Sequence, residues 1–251
     1  MLTLDHLSVS IGDKKILHDI SFAFKPGKTY ALMGPNGSGK STLASAIMGH
    51  PDIRYTRLSK VLWKGRPARH TPVVKTGVGG NVKGLAPNFR AELGIFLSFQ
   101  APLEIPGVTI FDLLRIALEK KMDPVVMHRQ VQAYAKELKM KDELLRRSLN
   151  VGFSGGERKK LEALQAVMLA PQFALFDEID TGVDVDALKT IAKFLKKHLP
   201  KTTTLVCITH STRLLKYVSP DQVLIMKEGR LVKTGGASLA KTIEQSGFES
   251  L

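Results

Sequence analysis

Apolar and polar positions divide the chain into short strands and amphipathic helices. Residues 2–10 and 16–24 read as two strands joined by a turn at Gly12-Asp13. Pro26-Gly27 turns the chain into Thr29-Tyr30-Ala31-Leu32-Met33, short, apolar and β-prone. Thr42 to Met48 reads as a helix ended by Gly49, and Leu93 to Gln100 as a buried strand with a polar last residue. Thr109 to Lys121 places Ile110, Leu113, Leu114, Ala117 and Leu118 on one helical face. Asp123-Pro124 starts a helix that runs to Met140, and Asp142 to Arg147 forms another short one. A helix follows Ser154 and stops at Pro171. Phe173 to Phe176 is an apolar strand, Asp184 to Leu199 an amphipathic helix, and Thr203 to Ile208 a strand. Gln222 to Met226 and Leu231 to Thr234 pair across Glu228-Gly229, and Ala237 to Gln245 closes the chain as a helix.

Strands alternating with helices predict a mostly parallel sheet with helices on both faces. The helix-only block at about 107–150 interrupts that pattern as a subdomain would. The expectation is one α/β domain over 1–251, with its core in 1–106 and 151–251.

Composition narrows the class. The chain has 251 residues, 43% of them hydrophobic, enough for a real core. No run is long and apolar enough to span a bilayer. The chain starts directly in a strand, so no signal peptide is expected. The lone Cys207 excludes an internal disulfide and suits a reducing cytosol, where we expect the protein. Net charge is +14, unevenly spread: residues 53–91 hold nine Lys or Arg and no Asp or Glu. Such a block attracts nucleic acid or an acidic protein, or is simply a solvated loop. Aromatics are sparse there, so a stacking platform for nucleic acid is poorly supported. Its centre, Arg66 to Pro87, has the Gly and Pro content of a long loop, here a basic insertion.

The chemistry centres on Gly34-Pro35-Asn36-Gly37-Ser38-Gly39-Lys40-Ser41-Thr42, which fits G-x-x-x-x-G-K-[ST] between a strand and a helix. Glycines there let backbone N–H groups turn onto a polyphosphate, and the helix N-terminus adds positive potential. Lys40 reaches the β- and γ-phosphates, and the Ser41 hydroxyl ligates Mg²⁺. Asp177 and Glu178 emerge at the end of the Phe173–Phe176 strand. Asp177 suits Mg²⁺ and Glu178 the attacking water, although paired carboxylates also cap helices. His210 follows the next strand; it reads equally as a γ-phosphate partner or as a surface histidine. Gln100 ends another strand, with its amide available to Mg²⁺ or water. Ser154-Gly155-Gly156-Glu157 is either a phosphate-binding helix start or an ordinary capping box.

In this order, these motifs resemble the nucleotide-binding domain of ATP-binding-cassette (ABC) ATPases over nearly the whole chain. The resemblance implies an ABC ATPase fold: a P-loop mixed-sheet core, an antiparallel β subdomain and a helical subdomain. Gly34–Thr42 resembles Walker A, Gln100 the Q-loop, Ser154–Glu157 the signature, Phe173–Glu178 Walker B, Ile179–Asp184 the D-loop and His210 the switch histidine. It also implies a transient ATP-dependent homodimer, in which Ser154, Gly155 and Gly156 of one copy close on ATP held by the other. Residues 95–108, 150–157 and 177–184 are similar to the SufC family, the soluble ABC ATPases of iron–sulfur cluster assembly. Transporter subunits more usually carry Pro-Thr after the Walker B glutamate, where this chain has Ile179-Asp180. The resemblance implies SufB/SufD-type scaffold partners docking near the Q-loop and the helical block, with the cluster carried on those partners. The runner-up is the ATP-binding subunit of a membrane importer. The first strand ends in Ser10-Ile11-Gly12, without the aromatic that many ABC domains stack on adenine, which leaves apolar packing by Ile11 for the base.

Overall fold

The computed structural model describes residues 1–65, 80–119 and 121–248. They fall into two compact units. One comprises Met1–Leu97, Pro171–Glu178 and Pro200–Leu251, the other Ser98–Ala170 and Ile179–Leu199.

The first unit holds two sheets. Antiparallel β1 (Leu2–Ile11) and β2 (Lys14–Phe24) pair along their length, and β1 also pairs with β4 (Ile53–Tyr55) and β5 (Lys60–Trp63). The second sheet runs in the order β11 (Arg230–Gly235), β10 (Gln222–Lys227), β3 (Thr29–Met33), β9 (Thr204–Ile208), β8 (Phe173–Asp177), β7 (Ile95–Ser98). The pairs β10–β3, β3–β9 and β9–β8 are parallel, and β10–β11 is an antiparallel hairpin, so this sheet is mixed. The central strands are apolar runs because a parallel strand is covered on both faces. Tyr30 to Met33 and Phe173 to Phe176 are each at most 2% exposed.

Helix α1 (Lys40–Met48) packs Leu43 and Ile47 into the core shared by both sheets, beside Leu4, Val9, Phe24 and Leu175. Phe24 meets Tyr30 and Phe173 edge to face, at centroid distances of 5.1 and 5.3 Å. Such aromatic pairs add roughly 0.5–1.5 kcal/mol each beyond their buried area.

The basic stretch differs from expectation. Residues 66–79 of the predicted loop lie outside the described residues. In the described part, β6 (Gly80–Asn81) pairs with Trp63 and Leu62, and α2 (Pro87–Glu92) starts at the proline expected to end the loop. These elements are only two to six residues long, too short to show periodicity. The predicted strand Leu93–Gln100 is also shorter. Leu93 caps α2, Gly94 turns at φ 89°, and β7 ends at Ser98.

The second unit is helical: α3 (Ile110–Leu118), α4 (Pro124–Glu137), α5 (Asp142–Arg146), α6 (Gly155–Leu169) and α7 (Val185–His198). The 107–150 helices therefore pack with α6 and α7. Thr109 caps α3 in a reciprocal capping box with Asp112, and Asp123 caps α4 through Val125 and Val126. Helix α8 (Ala237–Ser246) belongs to the first unit and buries Leu239, Ala240 and Ile243 against Met33 and Ile225.

Candidate functional site

Parallel register brings three strand ends together. Leu32 pairs with Ile208, and Ile208 with Asp177, so β3, β9 and β8 finish side by side. The ladder continues past the strands: Thr209 N–H donates to Leu32 O at 3.1 Å and Glu178 N–H to Ile208 O at 3.0 Å. Gly34, His210 and the Asp177-Glu178 pair thus leave the sheet at its carboxyl edge, within about 10 Å, two strand spacings. Ligands of open α/β sheets bind in that crevice.

The chain after β3 forms a tight loop into α1. Gly39 is the N-cap at φ 98°, and a Cβ there would sit 2.8 Å from Leu17 Cδ2. No side chain caps α1 and its first turn holds no acid, so its N-terminal N–H groups have no side-chain acceptor. The loop is braced from outside. Gly229 N–H donates to Ser38 O at 3.0 Å, and His18 N–H donates to Gly229 O at 2.9 Å. A Cβ on Gly229 would lie 1.9 Å from Ile16 O, so only glycine fits between β2 and the loop.

Lys40 folds over this loop. Its Nζ donates to Gly34 O at 2.9 Å and Pro35 O at 2.8 Å, and the residue is 5% exposed. Burial lowers its pKa, and the Glu178 and Asp177 carboxylates pull it back up. The ammonium is therefore held between its own loop carbonyls and two acids, a place where a phosphate oxygen can displace the carbonyls.

Asp177 is 4% exposed. Glu178 stands at φ 52°, a left-handed conformation that costs roughly 1–3 kcal/mol in a non-glycine residue and is held by its N–H bond to Ile208 O. Its Oε1 lies 3.4 Å from His210 Nδ1; Glu178 is 13% and His210 46% exposed at the side chain. The structure thus converges Lys40, Asp177, Glu178 and His210. For Mg²⁺ the available donors are hard oxygens, the Ser41 hydroxyl in the first turn of α1 and the Asp177 carboxylate. That sparse set suits an ion that shares its coordination with phosphate oxygens and water.

Gln100, Ser154, Gly155 and Gly156 lie in the second unit. Gln100 is exposed, two residues beyond β7. Ser154 caps α6 in a full capping box: its Oγ accepts from Glu157 N–H at 3.3 Å, and Glu157 Oε2 accepts from Ser154 N–H at 2.8 Å. That backbone bond, then the serine hydroxyl, holds the Glu157 pKa below the usual range. A Cβ on Gly155 would meet Gly182 O at 3.0 Å, whereas Gly156 is open around its Cα. Sequence reasoning missed Lys159, buried on α6. Its Nζ donates to Phe99 O at 3.1 Å and pairs with Glu162 at 3.0 Å. The signal was a Lys and a Glu three apart on an otherwise buried helix face.

A family profile described as "ABC transporter" matches residues 17–181. The chain is 39% identical over 259 residues to the "Probable ATP-dependent transporter ycf16" of Antithamnion sp., covering all of this chain and 97% of that one. It is 40% identical over 254 residues to "Vegetative protein 296" of Bacillus subtilis (strain 168), covering 99% and 92%. Among solved structures, the ATP binding subunit of an ABC transporter matches with a TM-score of 0.75 at 22% identity, covering 100% and 95%. A dimeric bacterial ABC transporter cassette matches with a TM-score of 0.72 at 20% identity, covering 94% and 99%. Profile, relatives and fold agree that this chain belongs to the ABC transporter family, as an ATPase cassette that binds ATP with Mg²⁺ and hydrolyses it.

Proposed function

We propose that ATP hydrolysis by this cassette drives a SufB/SufD-type scaffold on which iron–sulfur clusters are built. Lys40 and the first-turn N–H groups of α1 hold the β- and γ-phosphates. Ser41 and Asp177, with Gln100, hold Mg²⁺, which when bound offsets phosphate charge. Glu178 orients and deprotonates the attacking water, and His210 steadies Glu178 and the γ-phosphate edge. Ser154, Gly155 and Gly156 of a second copy complete the site, their hydroxyl and N–H groups neutralising charge that develops in the transition state. Glu157 holds the Ser154 hydroxyl in each separate copy, so closure exchanges that capping bond for one to phosphate.

The observation that carries the hydrolytic assignment is the 3.4 Å approach of His210 to a Glu178 held at φ 52° beside Lys40. The scaffold reading is supported by the Ile179–Asp184 and Gln100–Val108 sequences. Exposed apolar side chains in the second unit also support it: Phe99 and Leu103 just after β7, Ile116 on α3, and Val125 and Val126 on α4. Isolated exposed apolar residues are ordinary, but a set on one helical unit suits a protein partner. Among the described residues no helix is long and apolar enough to cross a membrane. The relatives described as transporters favour a second reading, the ATP-binding subunit of a membrane importer.

The test is affinity co-purification of tagged Glu178→Gln protein from its own cells with MgATP. Scaffold proteins carrying iron and sulfide are the expected result. Recovery of integral membrane proteins instead would overturn the scaffold reading in favour of the importer.

A further inference from the structure

The largest fully buried side chain among the described residues is a cation. Arg90, in α2, is 0% exposed. Its Nη1 donates to Ala46 O at 2.9 Å and Ile47 O at 2.7 Å, the last-turn carbonyls of α1. Nε donates to Leu85 O at 3.0 Å, and Nη2 to Lys83 O at 2.9 Å and to the Tyr55 hydroxyl at 3.3 Å. The Tyr55 hydroxyl in turn donates to Ala46 O. These acceptors are carbonyls and a hydroxyl, so the charge is offset by the negative end of the α1 dipole rather than by a paired acid. Gly49, at φ 80°, leaves room for the fork; a Cβ there would lie 2.6 Å from Arg90 Cζ.

The clamp grips the end of α1 opposite the phosphate loop. A helix of nine residues is about 13 Å long and moves as a rod. A shift at its gripped end is therefore carried to Lys40 and Ser41 at the other. Lysine cannot replace the fork, because one ammonium cannot reach carbonyls in three directions.

We propose that Arg90 is a positioning residue for nucleotide binding: it fixes the tilt and depth of α1, and so where Lys40, Ser41 and the first-turn N–H groups meet the polyphosphate. This rests on α1 being the nucleotide helix. Arg90 does not touch the nucleotide; it acts through Ala46, Ile47 and Tyr55. Because a misplacement near 1 Å costs up to about a hundredfold in a positioned site, the expected loss is about tenfold.

The test compares Arg90→Lys, Arg90→Gln and Tyr55→Phe in the full chain, with Lys40→Ala as control. Two quantities are measured: the dissociation constant for MgATP, and the rise in melting temperature on adding MgATP. Both Arg90 variants are expected to bind about tenfold more weakly. Their melting-temperature rise should shrink, their KM should increase and their kcat should hold. Tyr55→Phe, which removes one hydroxyl from the clamp, is expected to weaken binding a few-fold. A lowered melting temperature with wild-type affinity and an undiminished rise would mean Arg90 only fills the core, and would overturn the proposal. If the Arg90 variants do not fold, Tyr55→Phe decides: raised KM supports the clamp, unchanged KM refutes it. Lys40→Ala separates the two failures, since its retaining affinity would refute the phosphate loop rather than the clamp.

Discussion

Replacing Glu178 by Gln removes one charge and almost nothing else. The side chains match in size, and the left-handed backbone held by Ile208 O is as accessible to Gln as to Glu. What goes is a carboxylate only 13% exposed, 3.4 Å from His210 and close enough to raise the Lys40 pKa. Hydrolysis loses its proton acceptor. A positioned general base contributes about 10²–10⁴-fold, or roughly 3–5 kcal/mol of barrier. Binding moves the other way. Lys40 loses one of the two acids that draw it away from an incoming phosphate, so ATP affinity is held or rises. The assay is phosphate release at saturating MgATP, together with nucleotide retained through gel filtration. The expected outcome is turnover down at least a hundredfold with bound ATP persisting. Turnover within a few-fold of wild type would refute the role of Glu178. Loss of binding together with turnover would refute the claim that its charge opposes, rather than assists, the grip of Lys40.

Lys40→Ala should abolish tight ATP binding, read by equilibrium dialysis, because it removes the ammonium held over the Gly34 and Pro35 carbonyls of the loop. Gly229→Ala should destabilise the fold by about 2–5 kcal/mol, the sum of a left-handed alanine and a backbone clash; its 1.9 Å approach to Ile16 O predicts a melting-temperature drop with a parallel rise in KM for ATP. Ile11→Tyr puts an aromatic on a side chain 42% exposed at the end of β1 and should tighten ATP binding several-fold, read as a lower KM; unchanged affinity would show that the base lies elsewhere. Glu137 on α4 accepts from His198 and Lys197 on α7, and these hold its pKa below the usual glutamate range. A depressed folded pKa stabilises above the unfolded value and loses that stability as pH falls through the folded one; acid unfolding of His198→Ala should therefore begin at higher pH than wild type, followed by circular dichroism.

How much was legible depended on whether a residue's role is written in its neighbours. The phosphate loop was, because its strand, glycines and helix are contiguous, and so were the apolar runs of β3, β8 and β9. Their juxtaposition was not: that Leu32, Ile208 and Asp177 share one rung is a property of pairing between distant segments. The same holds more sharply for charge. Sequence counts Arg90 among nine cations in a basic block, read as a surface for nucleic acid or an acidic protein or as a solvated loop, yet it is wholly buried, while Lys60 in the same block is exposed beside Asp5. The α1 carbonyls that take its Nη1, those of Ala46 and Ile47, lie forty-odd residues earlier in the chain, where no local pattern can show them. Gly229 is likewise ordinary as a hairpin glycine, and its tie to Ser38 exists only once β10 lies beside β3. Residues that touch phosphate advertise themselves through local chemistry. Those that hold the phosphate loop in place are chosen by geometry across the fold, and a single sequence leaves them looking like loop, turn and surface.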